Sequence, residues 1–355
     1  MPPAHTGGAA PGGTAFDGTV PGGAASGSRE ADAAARLARG VRPTDAHLAA
    51  AAAITQQERS GRLARIAYTA RRIVATPQGA LGVVILLIFV VLAVFGHWIA
   101  PQDPNAPTSF SADILTGPSG AHWLGTDENG RDVMSELILG AQTSMLIGFV
   151  AAMVSSVIGT AVGIVAGFSG GWVDRGLTLL DDWFLVLPLV PVTVLAASLL
   201  GSKATNLPLG QTMVLIIVIG AFGWAGTSRI VRAEVMSLKS RGFVERSRAL
   251  GASHWRIMTR DILPNVMPLV LANAVIYVSL AILTESTLSF LGLGDPNRFS
   301  WGQMLEHAQS AGAMAAGNFA YYLPPGICIT LAVLGFSLLG HSIEPLFDPR
   351  LKERR

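Results

Sequence analysis

Charge is what this chain has least of. Lys, Arg, Asp and Glu make up 14% of its 355 residues, and half of the chain is hydrophobic. A soluble domain usually carries about 25% charged residues. The deficit, with a mean hydropathy of +0.48, excludes an ordinary soluble domain and points to an integral membrane protein. The net charge is only +2, so nothing suggests a nucleic-acid footprint. The one cysteine, Cys328, cannot form an intrachain disulfide and sits in an apolar run, where a small core residue is its expected role. The seven histidines are scattered without zinc-ligand spacing, so no metal site is expected. No Gly-Lys pair occurs, so there is no P-loop, and no nucleophile–base constellation stands out. Neither ATP hydrolysis nor other catalysis is expected of this chain, and no catalytic residue is assigned.

Residues 1–55 are rich in Gly, Ala and Pro and poor in large apolar residues. They bury too little to offset chain entropy and are expected to be disordered. No apolar run of the secretory-signal kind occurs before Leu81. Residues 56–79 interleave Arg59, Arg62, Arg65, Arg71 and Arg72 with Leu63, Ile66, Ile73 and Val74. This spacing suits a basic amphipathic helix on a membrane surface, or a solvated lead-in to the first span.

Six apolar runs near the length of a bilayer crossing follow, at about 80–100, 142–168, 177–200, 211–230, 264–292 and 323–342. They predict an all-α domain of six transmembrane helices over 80–342 and a tail at 343–355. The second run carries Gly148, Ser155, Ser156, Gly159, Gly163 and Gly167, small residues that let helix backbones approach closely. Pro188 and Pro191 should kink the third.

Orientation follows from positive charge. With the N-terminus inside, the inner side holds nine arginines before the first span, Arg175, eight Lys and Arg of 229–260, and four in the tail. These are 22 of the 25. Both termini and the segment 229–264 are therefore expected to be cytoplasmic. That segment is long, basic and patterned. Glu245 to Leu250 is helix-permissive, Gly251 can end that helix in left-handed geometry, and Ser253 can cap a second one. Trp255, Ile257 and Met258 supply apolar anchors. Such a helix can dock in a groove of a cytoplasmic partner or lie on the membrane surface.

Two loops are expected outside. Residues 101–141 carry Asp103, Asp113, Asp127, Glu128, Asp132 and Glu136 against Arg131 alone, and 293–322 holds Pro296 and Trp301. Both could face a receptor or cap helix ends. Inside the membrane, Glu285 is an expensive carboxyl that either lines a path or packs against neighbouring hydroxyls. Asp181 and Asp182 pose the same question in the third span.

The patterned segment resembles the coupling loop of ABC-importer permeases: Glu-Ala-Ala, three residues, Gly, nine residues, then Ile-x-Leu-Pro. Here the positions are Glu245, Arg246 and Ser247, then Gly251, then Asp261, Ile262, Leu263 and Pro264. The run His122, Leu124, Gly125, Thr126, Asp127, Gly130, Arg131 and Asp132 is similar to a stretch of the dipeptide/oligopeptide/nickel permease family. So are Ile282 to Gly294, Ser300 to Met304, and the tail Asp348-Pro349-Arg350-Leu351. The likeness covers about 80–351. Arg246, Ser247, Asp261 and the pair Gly340-His341 depart from the pattern.

The resemblance implies a type I ABC-importer transmembrane domain in a bacterial cytoplasmic membrane, importing dipeptides or oligopeptides. Nickel or another small solute is the alternative cargo, and a stand-alone secondary transporter the competing class. Implied partners are a second homologous permease, two cytoplasmic ABC ATPases that bind ATP and Mg, an extracytoplasmic solute-binding protein, and membrane lipid. Expected ATPase-coupling residues are Glu245, Arg246, Ser247, Ala249, Leu250, Gly251, Ala252, Trp255, Asp261, Leu263 and Pro264. Path candidates are Glu285, Ser286 and Ser289. Docking candidates for the binding protein are Asp127, Arg131, Asp132 and Trp301.

Overall fold

The computed structural model describes residues 71–104, 114–201 and 210–347. The expected disordered extension 1–55, most of the basic segment 56–79, and the Asp348-Pro349-Arg350 motif lie outside the described residues. The described part is helical, and its elements follow the chain as α1 (Pro77–Ile99), α2 (Val133–Ser169), α3 (Gly171–Val186), α4 (Leu189–Gly201), α5 (Gly210–Lys239), α6 (Gly242–Ala249), α7 (His254–Arg256), α8 (Leu263–Leu288), α9 (Trp301–Ser310) and α10 (Phe319–Phe347). A π-helical turn, Ile257–Ile262, joins α7 to α8, and another, Ser289–Leu293, ends α8. Five helical stretches are long and apolar enough to cross a membrane. The bent pair α3–α4 makes a sixth if counted as one span.

The break between α3 and α4 is sharp, at 90°. Pro188 has no N–H for the carbonyl of Phe184, and it pushes Leu187 to extended geometry, φ −65° and ψ 129°. The expected kink is therefore a full break.

Elsewhere, ends move for local reasons. The second span begins at Val133 rather than 142, because Asp132 caps it by accepting from Ser135 N at 2.9 Å. The fourth continues to Lys239, so the first part of the expected loop 229–264 is helix. Thr76 caps α1 by accepting from Gly79 N, with Pro77 in the first turn. Of the expected loop 293–322, ten residues form α9, capped by Ser300.

α2 is the central rod. A Cβ at Gly159 would lie 2.6 Å from Thr227 Cβ, one at Gly163 2.6 Å from Ser228 O, and one at Gly167 2.8 Å from Arg232 O. The glycine stripe is thus the seam along which α2 and α5 nearly touch backbones. On other faces, Gly148 abuts Ile282 of α8 and Gly140 abuts Trp301. One core joins α1, α2, α8, α9 and α10, with Phe89 edge-on to Trp301 at 5.1 Å. A second lies at the basic end. On α1, Leu81, Val84, Leu87, Ile88, Val91, Val94 and Phe95 are exposed at helical spacing, a stripe suited to hydrocarbon.

Candidate functional site

At the basic end, α5 turns at Ser240 and Arg241 into α6. The stop of α6 is a Schellman motif. Ala252 N donates to Ser247 O and Gly251 N to Arg248 O, both at 3.0 Å, with Gly251 at φ +77°. Ser253 then caps the next turn, accepting from Arg256 N at 3.3 Å. Both features agree with the sequence reading.

This helix–turn–helix is held to the spans from below. Val244, Ile257, Ile262 and Val266 are buried with Ile164, Phe168, Val231, Val235 and Leu238. Lys239 Nζ donates to Phe168 O at 2.5 Å and lies 5.6 Å over its ring, placing a cation on the C-terminal end of α2. His254 meets the same ring edge-on at 5.4 Å.

What faces away is distinct. Glu245, Arg246, Ala249, Leu250, Gly251, Trp255 and Pro264 are exposed, while Ser247, Ala252, Asp261 and Leu263 are half-buried. Leu250 is 87% exposed and Trp255 71%. Two large apolar side chains therefore project from a rigid turn, ringed by Arg246, Arg248, Arg256 and Arg260.

The sequence reading did not pair α3 with α5, but the structure does. Arg232 grips Asp174 with two bonds, at 2.5 and 2.9 Å, in a bidentate fork. Ser228 Oγ donates to Asp181 at 3.0 Å, and Arg229 to Asp182 at 2.6 Å. The signal was present: acids at 174, 181 and 182 share one face of a helix.

At the opposite end lie the residues expected to dock a binding protein. Asp127, Asp132 and Trp301 are buried inside this chain. Asp127 Oδ1 accepts from Asn129 N at 2.8 Å and Arg131 N at 2.6 Å, closing a tight loop. Asp132 accepts from Ser135 and meets His122 Nδ1 at 3.0 Å. Trp301 donates from Nε1 to Leu137 O at 3.0 Å and from its backbone N to Ser144 Oγ at 3.2 Å. Arg131 is half-buried over the Phe299 ring. Trp123, in the same loop, is the exposed apolar residue that the motif reading passed over.

Glu285, Ser286 and Ser289 are buried within the chain. Glu285 accepts from Ser289 Oγ at 2.8 Å and from Ser286 Oγ at 3.4 Å. The carboxyl is thus tied to hydroxyls of its own helix and of the π-helical turn that ends it. A buried carboxyl needs such company.

Five helical stretches long and apolar enough to cross a membrane, or six with the bent pair, and a basic projection at one end describe a multi-pass membrane protein. Residues 159–353 match the family described as binding-protein-dependent transport system inner membrane component. Residues 67–118 match the N-terminal transmembrane domain of oligopeptide transport permease C. The glutathione transport system permease protein GsiD of Pectobacterium atrosepticum (strain SCRI 1043) is 33% identical over 269 residues, 75% of this chain and 85% of that protein. Its counterpart in Escherichia coli O6:K15:H31 (strain 536) is 34% identical over 75% of this chain and 84% of that protein. The chain belongs to the family of binding-protein-dependent inner-membrane components. It is an ABC-importer permease subunit, a multi-pass inner-membrane protein and not itself an ATPase.

Proposed function

We propose that this permease subunit imports short peptides, with both termini and the α6–α7 projection in the cytoplasm. It pairs with a second, similar permease. Two cytoplasmic ATPases, which hold ATP and Mg, receive the projection of each permease, and an extracytoplasmic binding protein delivers the cargo at the opposite end. The charge asymmetry of the sequence supports the orientation. The peptide reading draws on the oligopeptide-permease match and on relatives named for glutathione, which is a tripeptide.

The observation that carries this reading is the Schellman turn that presents Leu250 and Trp255 on a buried base. A lever must be stiff at its root and accessible at its tip. Val244, Ile257 and Ile262 make the root, and α8 leaves directly from it into the membrane. When the ATPases close on ATP, force on the tip tilts α8 and, through the glycine seam, α2 and α5.

Gly251→Trp tests it. A side chain there meets open space, so the strain comes from φ +77° and from blocking the tip. With ATPase subunits and binding protein present, substrate-stimulated ATP hydrolysis and uptake should be lost while the permease pair still assembles. Full retention of both sinks the coupling reading.

A further inference from the structure

Glu285 is buried inside the chain, whereas a second set of polar residues in the spans lines an open groove. A groove of about 250 Å³ opens where α3 breaks from α4, against the middles of α5 and α8. Phe184, Leu187, Phe222, Thr227, Asn273 and Tyr277 are among its walls. Thr227, Asn273 and Tyr277 are polar and lie midway along apolar helices. Asn273 Nδ2 donates to Thr227 Oγ1 at 2.9 Å, and Tyr277 OH to Ile219 O at 3.2 Å. An amide side chain has two donors and two acceptor lone pairs, and the bond to Thr227 uses one donor. Pro188 leaves the carbonyl of Phe184 without its helical donor.

Hydrocarbon cannot satisfy such groups. Non-helical backbone and amides at membrane depth persist where they line water or protein. The next residues along both helices carry the Asp182–Arg229 pair, at 2.6 Å and about half exposed on each side, which also calls for water. Phe184 and Phe222, with centroids 5.7 Å apart, add an aromatic wall. Broken helices at mid-membrane commonly mark solute sites in transporters.

We propose that this groove is a solute-binding station on the translocation path and that it takes the backbone of a short peptide. Asn273 complements a peptide amide, which is both donor and acceptor, and the two phenylalanines receive a side chain. The ligand class rests on the peptide reading above; the groove itself does not.

The test uses the full complex in proteoliposomes. In a Cys328→Ala background, Gly226→Cys places a thiol on the groove wall, where an added Cβ meets no atom within 4 Å. Leu87→Cys, on the exposed apolar stripe of α1, is the control. A charged methanethiosulfonate should label Gly226→Cys and not Leu87→Cys. S-methylglutathione or trialanine, whichever the unmodified complex accumulates, should slow that labelling. Asn273→Leu should cut uptake about ten-fold, the worth of one lost hydrogen bond, with binding-protein-stimulated ATP hydrolysis retained. Labelling of Gly226→Cys no faster than the control overturns the groove whatever the cargo, as does uptake by Asn273→Leu at the unmodified rate. If Asn273→Leu fails to assemble, the labelling decides. Labelling that only a non-peptide solute slows, in a complex that accumulates neither peptide, overturns the peptide assignment and leaves the groove standing.

Discussion

Replacing Trp255 with alanine should weaken ATPase binding far more than it weakens the fold. The residue is 71% exposed. A tryptophan offers roughly 150–250 Å² to burial, so roughly 110–180 Å² is open to a partner. At about 25 cal/mol per Å² this sets a ceiling of roughly 3–4 kcal/mol. Ordering of side chains and loss of free motion reduce the ceiling, and an interfacial tryptophan on a preformed turn should retain about 2 kcal/mol. That is about a 30-fold rise in the Kd for the ATPase. The covered remainder of Trp255 is worth at most roughly 1–2 kcal/mol to the chain. The permease pair should be reconstituted in nanodiscs and titrated with ATPase subunits, with thermal unfolding measured in parallel. A Kd within about two-fold of the unmodified value, under 0.5 kcal/mol, would refute the reasoning, because so exposed a side chain cannot be central to docking and irrelevant to affinity. A loss of unfolding temperature as large as the loss of affinity would refute it as well.

Other consequences concern the frame. Glu285→Ala leaves hydroxyls of Ser289 and Ser286 without their acceptor and opens a cavity, so it should cost about 2–4 kcal/mol in thermal unfolding, with Glu285→Gln recovering much of it. Gly163→Leu drives a side chain into Ser228 O and Val231, at 2.6 and 2.8 Å from the Cβ alone, and should lose about 3 kcal/mol or fail to assemble. Gly176→Ala, with nothing within 4 Å, should leave the unfolding temperature unchanged. Asp132→Ala removes the cap of α2 and should cost about 1–2 kcal/mol, with Asp132→Asn recovering the Ser135 N bond, again read by thermal unfolding.

Much of the basic projection was legible because its determinants are local. The left-handed Gly251, the Ser253 cap and the proline opening α8 are backbone preferences acting over a few residues. The spans were legible for a similar reason, since length and apolarity are summed along the chain. Even so, several boundaries moved, the start of the second span and the end of the fourth furthest among them, because Asp132 and the fork at Arg232 extend those helices past their apolar cores. The break at Pro188 was legible as a kink; its 90° angle was not, since the angle depends on what α4 packs against.

The expected docking and path residues show where composition stops informing. Asp127, Asp132, Trp301 and Glu285 are polar or aromatic residues in loops and spans, a pattern that suits a surface or a channel as well as a hidden knot. Which one applies depends on partners remote in sequence, as Trp301 with Ser144 and Leu137 shows. Amino-acid order alone determined that this is a membrane protein of six crossings without its own ATPase motif, because transfer free energy and loop chemistry are properties of short stretches. Only the tertiary structure decided which polar groups are spent inside the chain and which, such as Asn273 beside the broken span, remain toward a groove. Burial is a relation between segments, and in a low-dielectric membrane that relation decides whether a polar side chain is a fastener or a site.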